Sequence, residues 1–247
     1  MTFSPYEKFD IGINLGTEYL INENAFFLGG IIAANETTMI RGDKYWVAPV
    51  RHNKEYLSDE DIESHFYHVR KIASKLSNET LLADSFSRNG IHIPKFNKRM
   101  KGFATFFKSD QNVTIESIIS EVGEAIVNSV DEVKRCFILG LFDGRGAIDL
   151  NKSNNSIRYI SLDCDNEIVA RTLLGILEDF GLNANYNMAR ERVEGGRRRE
   201  NQLRIKDVKV YMEKVGFISR KKLNVASTCF GVSPTSESEV LDGLKIL

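Results

Sequence analysis

The sequence predicts a mixed α+β protein that contains two copies of one module, each ordered as helix, hairpin, helix, hairpin and helix. Two observations support this fold class. Two helix-like stretches each carry a pair of small residues four positions apart, and the same alternation of strand-forming and helix-forming segments follows each stretch. A repeated order of elements is typical of an internally duplicated chain.

The two helix-like stretches are expected to pack against each other. Their small residues are Gly30 and Ala34 in the first stretch and Gly140 and Gly144 in the second. Residues four apart lie on one face of a helix. Because small residues leave that face flat, two backbones can approach closely there. We therefore predict that these four residues form a helix–helix interface.

The first module follows a lead-in of residues 1–24 and spans residues 25–127. Asn22 or Asn24 supplies a capping side chain for its first helix. β-Branched and aromatic residues on both sides of Gly42 and Asp43 predict a hairpin. The predicted elements are a helix over 25–34, strands over 37–40 and 44–50, a helix over 59–76, a second hairpin from strands 81–86 and 91–93, and helices over 95–108 and 114–126.

Residues 95–108 mix basic and aromatic side chains. We predict an amphipathic helix that is packed by its phenylalanines. A helix that contacts phosphate with its lysines is the alternative, and the two roles are compatible.

The second module spans residues 128–222 and repeats the order. Ser129 and Glu132 have the spacing of a capping box at the head of its first helix. Its further elements are strands over 147–152 and 157–162, a helix from Asp165 or Asn166 to Phe180, strands over 183–192 and 201–206, and a short helix over 207–215. Residues 223–247 are a tail that we expect to end in a docked helix.

The composition is that of a soluble globular protein. The chain has 247 residues, of which 42% are hydrophobic and 27% are charged. No apolar run is long enough for a membrane span, and the first residues lack the layout of a signal peptide. We expect a location in the cytoplasm, or in an organelle if the chain is of organelle origin. The three cysteines are far apart, which favours reduced thiols over a zinc site.

Residues 136–146, extended back through residues 128–135, resemble the LAGLIDADG family of homing endonucleases, intein endonucleases and maturases. The resemblance implies two modules related by a pseudo-twofold axis, with the two motif helices side by side. It implies a curved antiparallel sheet in each module that lies in the major groove of double-stranded DNA. It further implies acids at the helix ends that hold a divalent metal, Mg²⁺ in an active enzyme. We expect a monomer that binds a long, partly asymmetric site.

The sequence departs from this family where the metal would be held. The acid is the eighth residue of the motif, and the eighth positions here are Asn35 and Arg145. Asparagine brings no charge, and arginine repels a cation. One interpretation is a DNA-binding scaffold that has lost cleavage, with Arg145 contacting phosphate. A second is a homing or restriction endonuclease that uses displaced acids as metal ligands, with Glu36, Asp143 and Asp149 as candidates.

Other interpretations stay open. An RNA-splicing maturase and a transcriptional regulator both use such a scaffold without nuclease acids. Asp143 has a structural alternative, because an acid at the sixth motif position commonly caps or packs at the helix end. Lys221 and Lys222 resemble the basic residue that the family places near the scissile phosphate, although a solvated lysine pair explains them equally well.

DNA recognition is expected from polar side chains along the strands, because arginine pairs with guanine and asparagine or glutamine with adenine. On the first sheet the candidates are Arg41, Lys44, Arg51 and Arg88. On the second sheet they are Lys152, Asn154, Arg158, Asn185, Asn187, Arg190, Arg192, Gln202, Arg204 and Lys206. Arg197, Arg198 and Arg199 follow two glycines in a loop and are expected to contact phosphate. Although the net charge is -1, the segment around these residues is basic.

Replacing Arg197, Arg198 and Arg199 together by alanine is expected to flatten the salt dependence of DNA affinity. Each lost phosphate contact removes about one unit from the slope of log affinity against log salt. Fluorescence anisotropy with a labelled duplex at several salt concentrations measures the slope. An unchanged slope would exclude this loop from the interface.

Overall fold

The computed structural model describes residues 22–40, 42–51, 91–92, 102–108, 114–151, 153–154, 156–188, 201–217 and 219–230. The helices are α1 (Asn22–Ala34), α2 (Ile115–Val127), α3 (Asp131–Gly144), α4 (Glu167–Asp179), α5 (Val208–Lys214) and α6 (Arg220–Phe230). The strands are β1 (Thr37–Ile40), β2 (Asp43–Arg51), β3 (Ile91–His92), β4 (Gly102–Lys108), β5 (Ala147–Asn151), β6 (Ser156–Asp163), β7 (Ala184–Asn187) and β8 (Gln202–Ile205).

The described strands form two antiparallel sheets with matching topology. The first has the order β1-β2-β4-β3 and the second β5-β6-β8-β7. In each sheet a hairpin directly follows a long helix, α1 or α3. The mixed α+β prediction is confirmed. The predicted helix over 59–76, residues 1–21 of the lead-in and the tail after residue 230 lie outside the described residues. Residues 22–24, which were predicted to belong to the lead-in, are part of α1, so this helix begins before the predicted start at residue 25.

Helices α1 and α3 pack with their backbones in contact. A Cβ placed on Gly140 would lie 1.9 Å from the carbonyl oxygen of Phe26, and one on Gly29 would lie 2.1 Å from that of Phe137. The amide nitrogen of Gly30 is 3.1 Å from the same Cβ position on Gly140. Gly29 was not among the predicted interface residues. It is the counterpart of Gly140, while Ala34 and Gly144 stand at the helix ends.

One hydrophobic core joins α1 and α3 to the second sheet. Apolar side chains at alternate positions of β6 and β8 are buried, namely Ile160 and Leu162 on one strand and Leu203 and Ile205 on the other, and Ser161 between the first two is also buried. Helices α2, α4 and α5 contribute buried residues to the same cluster as α1 and α3. The helices therefore cover one face of the second sheet. Among the described residues, no helix has the length and apolar character that a membrane span requires.

Residues 102–108 form strand β4, so the helix predicted over 95–108 is wrong for this part. β4 pairs with β2 from Tyr45 opposite Lys108 to Arg51 opposite Gly102, and its other edge pairs with β3. Partners this distant in sequence decide a strand that local periodicity cannot identify. β3 therefore pairs with β4, whereas the predicted partner strand over 81–86 lies outside the described residues.

The predicted capping box at the head of α3 is also wrong. Val130 occupies the N-cap position and offers no side-chain oxygen. The Ser129 hydroxyl instead donates to the carbonyl of Ile126, at 2.6 Å, near the end of α2. The short connection between the two helices leaves this serine closer to the helix that ends than to the one that begins. Thr114 and Asn166 cap α2 and α4 through their side chains.

Gly140→Ala is expected to destabilise the fold by at least about 2 kcal/mol, because the added methyl group meets the Phe26 carbonyl and forces the helices apart. Gly175→Ala in α4 is the matched control. Its site is exposed, with nothing in the described structure within 4 Å of an added Cβ, so this change should stabilise by about 0.5–1 kcal/mol. Urea unfolding followed by circular dichroism measures both. Equal effects would contradict the close contact.

The helix ends and the polar face of the second sheet

The two motif positions, Asn35 and Arg145, follow the paired helices directly. Asn35 ends α1 with a φ of 47°, and its amide donates to the carbonyl of Ile31 at 2.9 Å. Asparagine tolerates this left-handed conformation better than most residues. Arg145 caps α3. The close packing of the helices brings the residues after their C-terminal ends together.

Arg145 forms an ion pair with Glu36 across the two helix ends. Its Nη2 lies 2.5 Å from Oε1 of Glu36, and the side chains are 18% and 36% exposed. Among the described residues, neither Nε nor Nη2 of Arg145 is in hydrogen-bond alignment, so the interaction is a charge contact. The basic residue at one motif position thus neutralises the acid beside the other.

Asp143 has a structural role at the end of α3. It is 1% exposed, and its Oδ1 accepts a hydrogen bond from the backbone amide of Ser219 at 2.8 Å. Ser219 immediately precedes α6, so the carboxylate binds where free amides and the helix dipole favour negative charge. Burial raises the pKa of Tyr211 well above its usual value, and the Asp143 charge adds to this effect.

Lys222 makes a second connection between α6 and the C-terminal end of α3. Its Nζ donates to the carbonyl oxygens of Phe142, at 2.7 Å, and Asp143, which are among the last in α3. A cation is favoured at the C-terminal end of a helix. Each helix therefore stabilises an end of the other, and the ammonium of Lys222 is directed at backbone carbonyls. The side chain of Lys221 lies outside the described residues.

The acids near the helix ends do not fit a divalent metal. Within the described part of the chain, no three histidine, cysteine, aspartate or glutamate side chains are grouped so that they could hold an ion. Glu36 contacts Arg145, Asp143 accepts from Ser219, and Asp149 pairs with Arg158. The alternative with Glu36 and Asp143 as displaced ligands would require both acids to leave these contacts.

A cavity of about 540 Å³ lies beside the end of α1 and the start of α4. Its polar lining is acidic, with Glu36, Asp163 and Asp165. Cys164 also lines it, and burial raises the pKa of this thiol to about 11. The thiol is therefore protonated at neutral pH and is no nucleophile. The carboxylates of Asp163 and Asp165 disfavour a phosphate group in this cavity.

The second sheet has one apolar face and one polar face. Opposite the buried residues of β6 and β8, the other side carries polar side chains in register. Ser161 pairs with Arg204 and Asp163 with Gln202, while Asn185 and Asn187 pair with Arg204 and Gln202 on the other side. The structure therefore brings four of the predicted DNA-binding residues together. Lys206 directly follows β8 and is exposed. We call the side of the second sheet that carries Asp163, Asn185, Asn187, Gln202, Arg204 and Lys206 the polar face.

Arg204 lies at the centre of the polar face. Its Nε and Nη2 donate to Oε1 of Gln202 at 3.2 and 3.0 Å, and Gln202 donates to Asp163 at 2.7 Å. The guanidinium stands over the ring of Tyr159, 4.4 Å from its centroid. Tyr159 and Asp163 are not among the residues predicted from the sequence to bind DNA. They alternate with the apolar residues Ile160 and Leu162, and this pattern could have placed them on the opposite face of the strand.

Several other predicted DNA-binding residues have local roles. Arg158 bonds to Asp149, and this bond raises the arginine pKa further. Asn154 accepts from the amide of Ser156 at 3.1 Å and so builds the turn between β5 and β6. Lys44 stands over the ring of Trp46 at 5.2 Å. The side chains of Arg41, Arg51, Arg88, Lys152, Arg190, Arg192, Arg197, Arg198 and Arg199 lie outside the described residues.

Comparison with known proteins gives a family match within the second half of the chain. Residues 132–216 match a family model described as a LAGLIDADG-like domain, which confirms the resemblance for that segment. No curated protein matches the chain.

Solved structures of LAGLIDADG proteins are similar in outline. I-DmoI in complex with DNA and Mn aligns with a TM-score of 0.48 and 16% identity, over 80% of this chain and 97% of that chain. I-DmoI in complex with DNA and Ca aligns with a TM-score of 0.46 and 13% identity, over 90% and 98%. The N-terminal LAGLIDADG domain of DUF199/WhiA aligns with a TM-score of 0.44 and 14% identity, over 87% and 94%.

Asp143→Ala is expected to destabilise the fold by about 1–3 kcal/mol, because the buried amide of Ser219 loses its acceptor. Asp149→Ala removes an acid whose partner is an exposed arginine, and it should cost less than about 1 kcal/mol. Urea unfolding of the two variants compares them directly. Equal stability of the Asp143 variant and the unmodified protein would show that this carboxylate does not hold α3 to α6.

Proposed function

We propose that this chain, whose residues 132–216 are a LAGLIDADG-like domain, binds double-stranded DNA through the polar face and does not cleave it at the ends of α1 and α3. The proposal rests on the observation that Arg145 and Glu36 form an ion pair where the family motif calls for metal-binding acids. Binding and cleavage are separate parts of the proposal, and each has its own support.

The polar face supports DNA binding. It presents arginine, glutamine and asparagine side chains, the residue types that pair with base edges in the major groove. They occur on paired strands, and a two-stranded ribbon fits into that groove. Arg204 and Lys206 are basic, and the sequence between β7 and β8 contains five arginines, at positions 190, 192, 197, 198 and 199, and three glutamates. This segment therefore has a positive net charge, although the chain as a whole has a charge of -1.

The ion pair argues against metal-dependent cleavage. A hard divalent ion requires carboxylate oxygens. The carboxylate of Glu36, which lies at the two helix ends, already contacts the guanidinium of Arg145. A cation beside Arg145 would be repelled, and burial of the guanidinium strengthens this effect. The Asp143 carboxylate is held by Ser219 at the start of α6. We infer that the motif ends act as a structural joint between the modules.

DNA binding is expected to need no Mg²⁺, so that it persists in EDTA, and DNA affinity is expected to fall steeply with salt. Lys206→Glu should weaken binding of a mixed-sequence duplex several-fold at low salt. Lys209→Glu makes the same charge change close in sequence, but on α5, which packs into the core through Val208 and Tyr211, so it should leave affinity unchanged. Fluorescence anisotropy measures binding, and nicking of supercoiled plasmid with Mg²⁺ or Mn²⁺ measures cleavage.

The outcomes separate the interpretations. Equal losses in both lysine variants would remove the polar face from the interface. Nicking that requires a metal and disappears in Glu36→Gln would favour an endonuclease with displaced acids. Tighter binding of an RNA stem-loop than of a duplex would favour a splicing role. No measurable affinity for either nucleic acid would overturn the proposal.

A further inference from the structure

The polar face holds one guanidinium in a far more constrained environment than its neighbours. Arg204 is the only residue of the described sheet strands that is both stacked on an aromatic ring and hydrogen-bonded through two of its nitrogens to a side chain. An arginine on a free stem loses about 2 kcal/mol of rotamer entropy when it is immobilised. Here much of this cost is met in the folded protein, so the side chain is preorganised for a ligand.

A count of the donors shows what the guanidinium can still bind. Arginine has five N–H groups. Two of them, on Nε and Nη2, go to Gln202. With the Asn187 amide in the orientation that satisfies its neighbours, its oxygen lies 3.2 Å from Nη1 and uses a third. Within the described structure, one N–H remains on each terminal nitrogen.

Donors on two adjacent nitrogens match two neighbouring acceptors. In the major groove, guanine presents such a pair in O6 and N7. Adenine presents one acceptor and one donor there, and cytosine presents a donor. The acids near Arg204 do not compete for this position, because Asp163 is bonded to Gln202. A guanine therefore completes the hydrogen bonding of Arg204 where the other bases leave a donor without an acceptor or place two donors in contact.

We propose that Arg204 reads a single guanine in the bound duplex, and that Tyr159 and Gln202 are positioning residues that hold its guanidinium for this contact. The inference rests on the proposed DNA binding and deepens it by naming the base and the residues. The ring of Tyr159 supports one face of the Arg204 guanidinium through the cation–π contact. Gln202 fixes the orientation of the guanidinium over this ring through two hydrogen bonds, and a hydrogen bond to Asp163 fixes Gln202.

The test is selection of bound sequences from a randomised duplex pool, with the unmodified protein and four variants. The unmodified protein should select a guanine at one position by roughly ten- to a hundredfold over other bases. Arg204→Ala should abolish the preference at that position and leave the rest of the site. Tyr159→Leu should reduce the preference several-fold, whereas Tyr159→Phe keeps the ring and should retain it.

Arg158→Ala is the matched charge control. Arg158 also belongs to the second sheet and lies 5.8 Å from the same ring, but it is more exposed and bonded to Asp149. Its loss should weaken binding uniformly and change no base preference. Thermal unfolding by circular dichroism verifies that each variant is folded.

Each outcome has a distinct meaning. If Arg204→Ala lowers affinity equally for all sequences, the residue contacts phosphate and the inference fails, while the proposed function stands. If the unmodified protein selects DNA but shows no preference for guanine at any position, the inference also fails and the proposed function stands. If Tyr159→Leu leaves the guanine preference intact, the ring has no positioning role. If the unmodified protein retains no DNA from the pool, the proposed function itself fails.

Discussion

The contact between the backbones of α1 and α3 is the constraint on which the rest of the structure depends. With Gly29 facing Phe137 and Gly140 facing Phe26, the helices lie closer than any side chain would permit. The buried aromatic and aliphatic residues around the two glycines fill the space on either side. Each helix leads directly into a hairpin, so the packing of the helices also sets where the first two strands of each sheet begin.

The same contact determines the chemistry at the helix ends. It brings the residue after Asn35 within reach of Arg145, and two opposite charges meet in a half-buried position. A pair of acids at this place would repel each other unless a cation lay between them. A glutamate and an arginine satisfy each other without one. The charges at these two helix ends are therefore balanced within the protein, and Asp143 and Lys222 connect the end of α3 to α6.

The second sheet shows how one strand serves two functions. Ile160 and Leu162 anchor β6 to the helices, while Tyr159 contacts Arg204 on the opposite side. Because side chains alternate along a strand, the burial of one set fixes the direction of the other. The hydrophobic core thus fixes the face on which Arg204 and Gln202 lie, and the proposed reading of base edges depends on this placement.

The sequence by itself determined the elements that local chemistry specifies. The hairpins around Gly42 and around residues 153–156, the apolar stripe of α4 and the glycine at position 140 all follow from turn residues and periodicity, and the alternation along β8 predicts that Gln202 and Arg204 share a face. The resemblance also predicts that Asn35 and Arg145 stand where the family motif has acids. Only the tertiary structure decided the features that depend on partners distant in the chain.

Residues 102–108 became strand β4 because β2 and β3 lie on either side of them, and Gly29 proved to be the close contact because of how α1 is rotated against α3. The Arg145–Glu36 pair and the stacking of Arg204 on Tyr159 likewise join residues that are far apart in sequence. Local patterns record which face a residue occupies, but the energy of these contacts arises only when two distant segments are packed together.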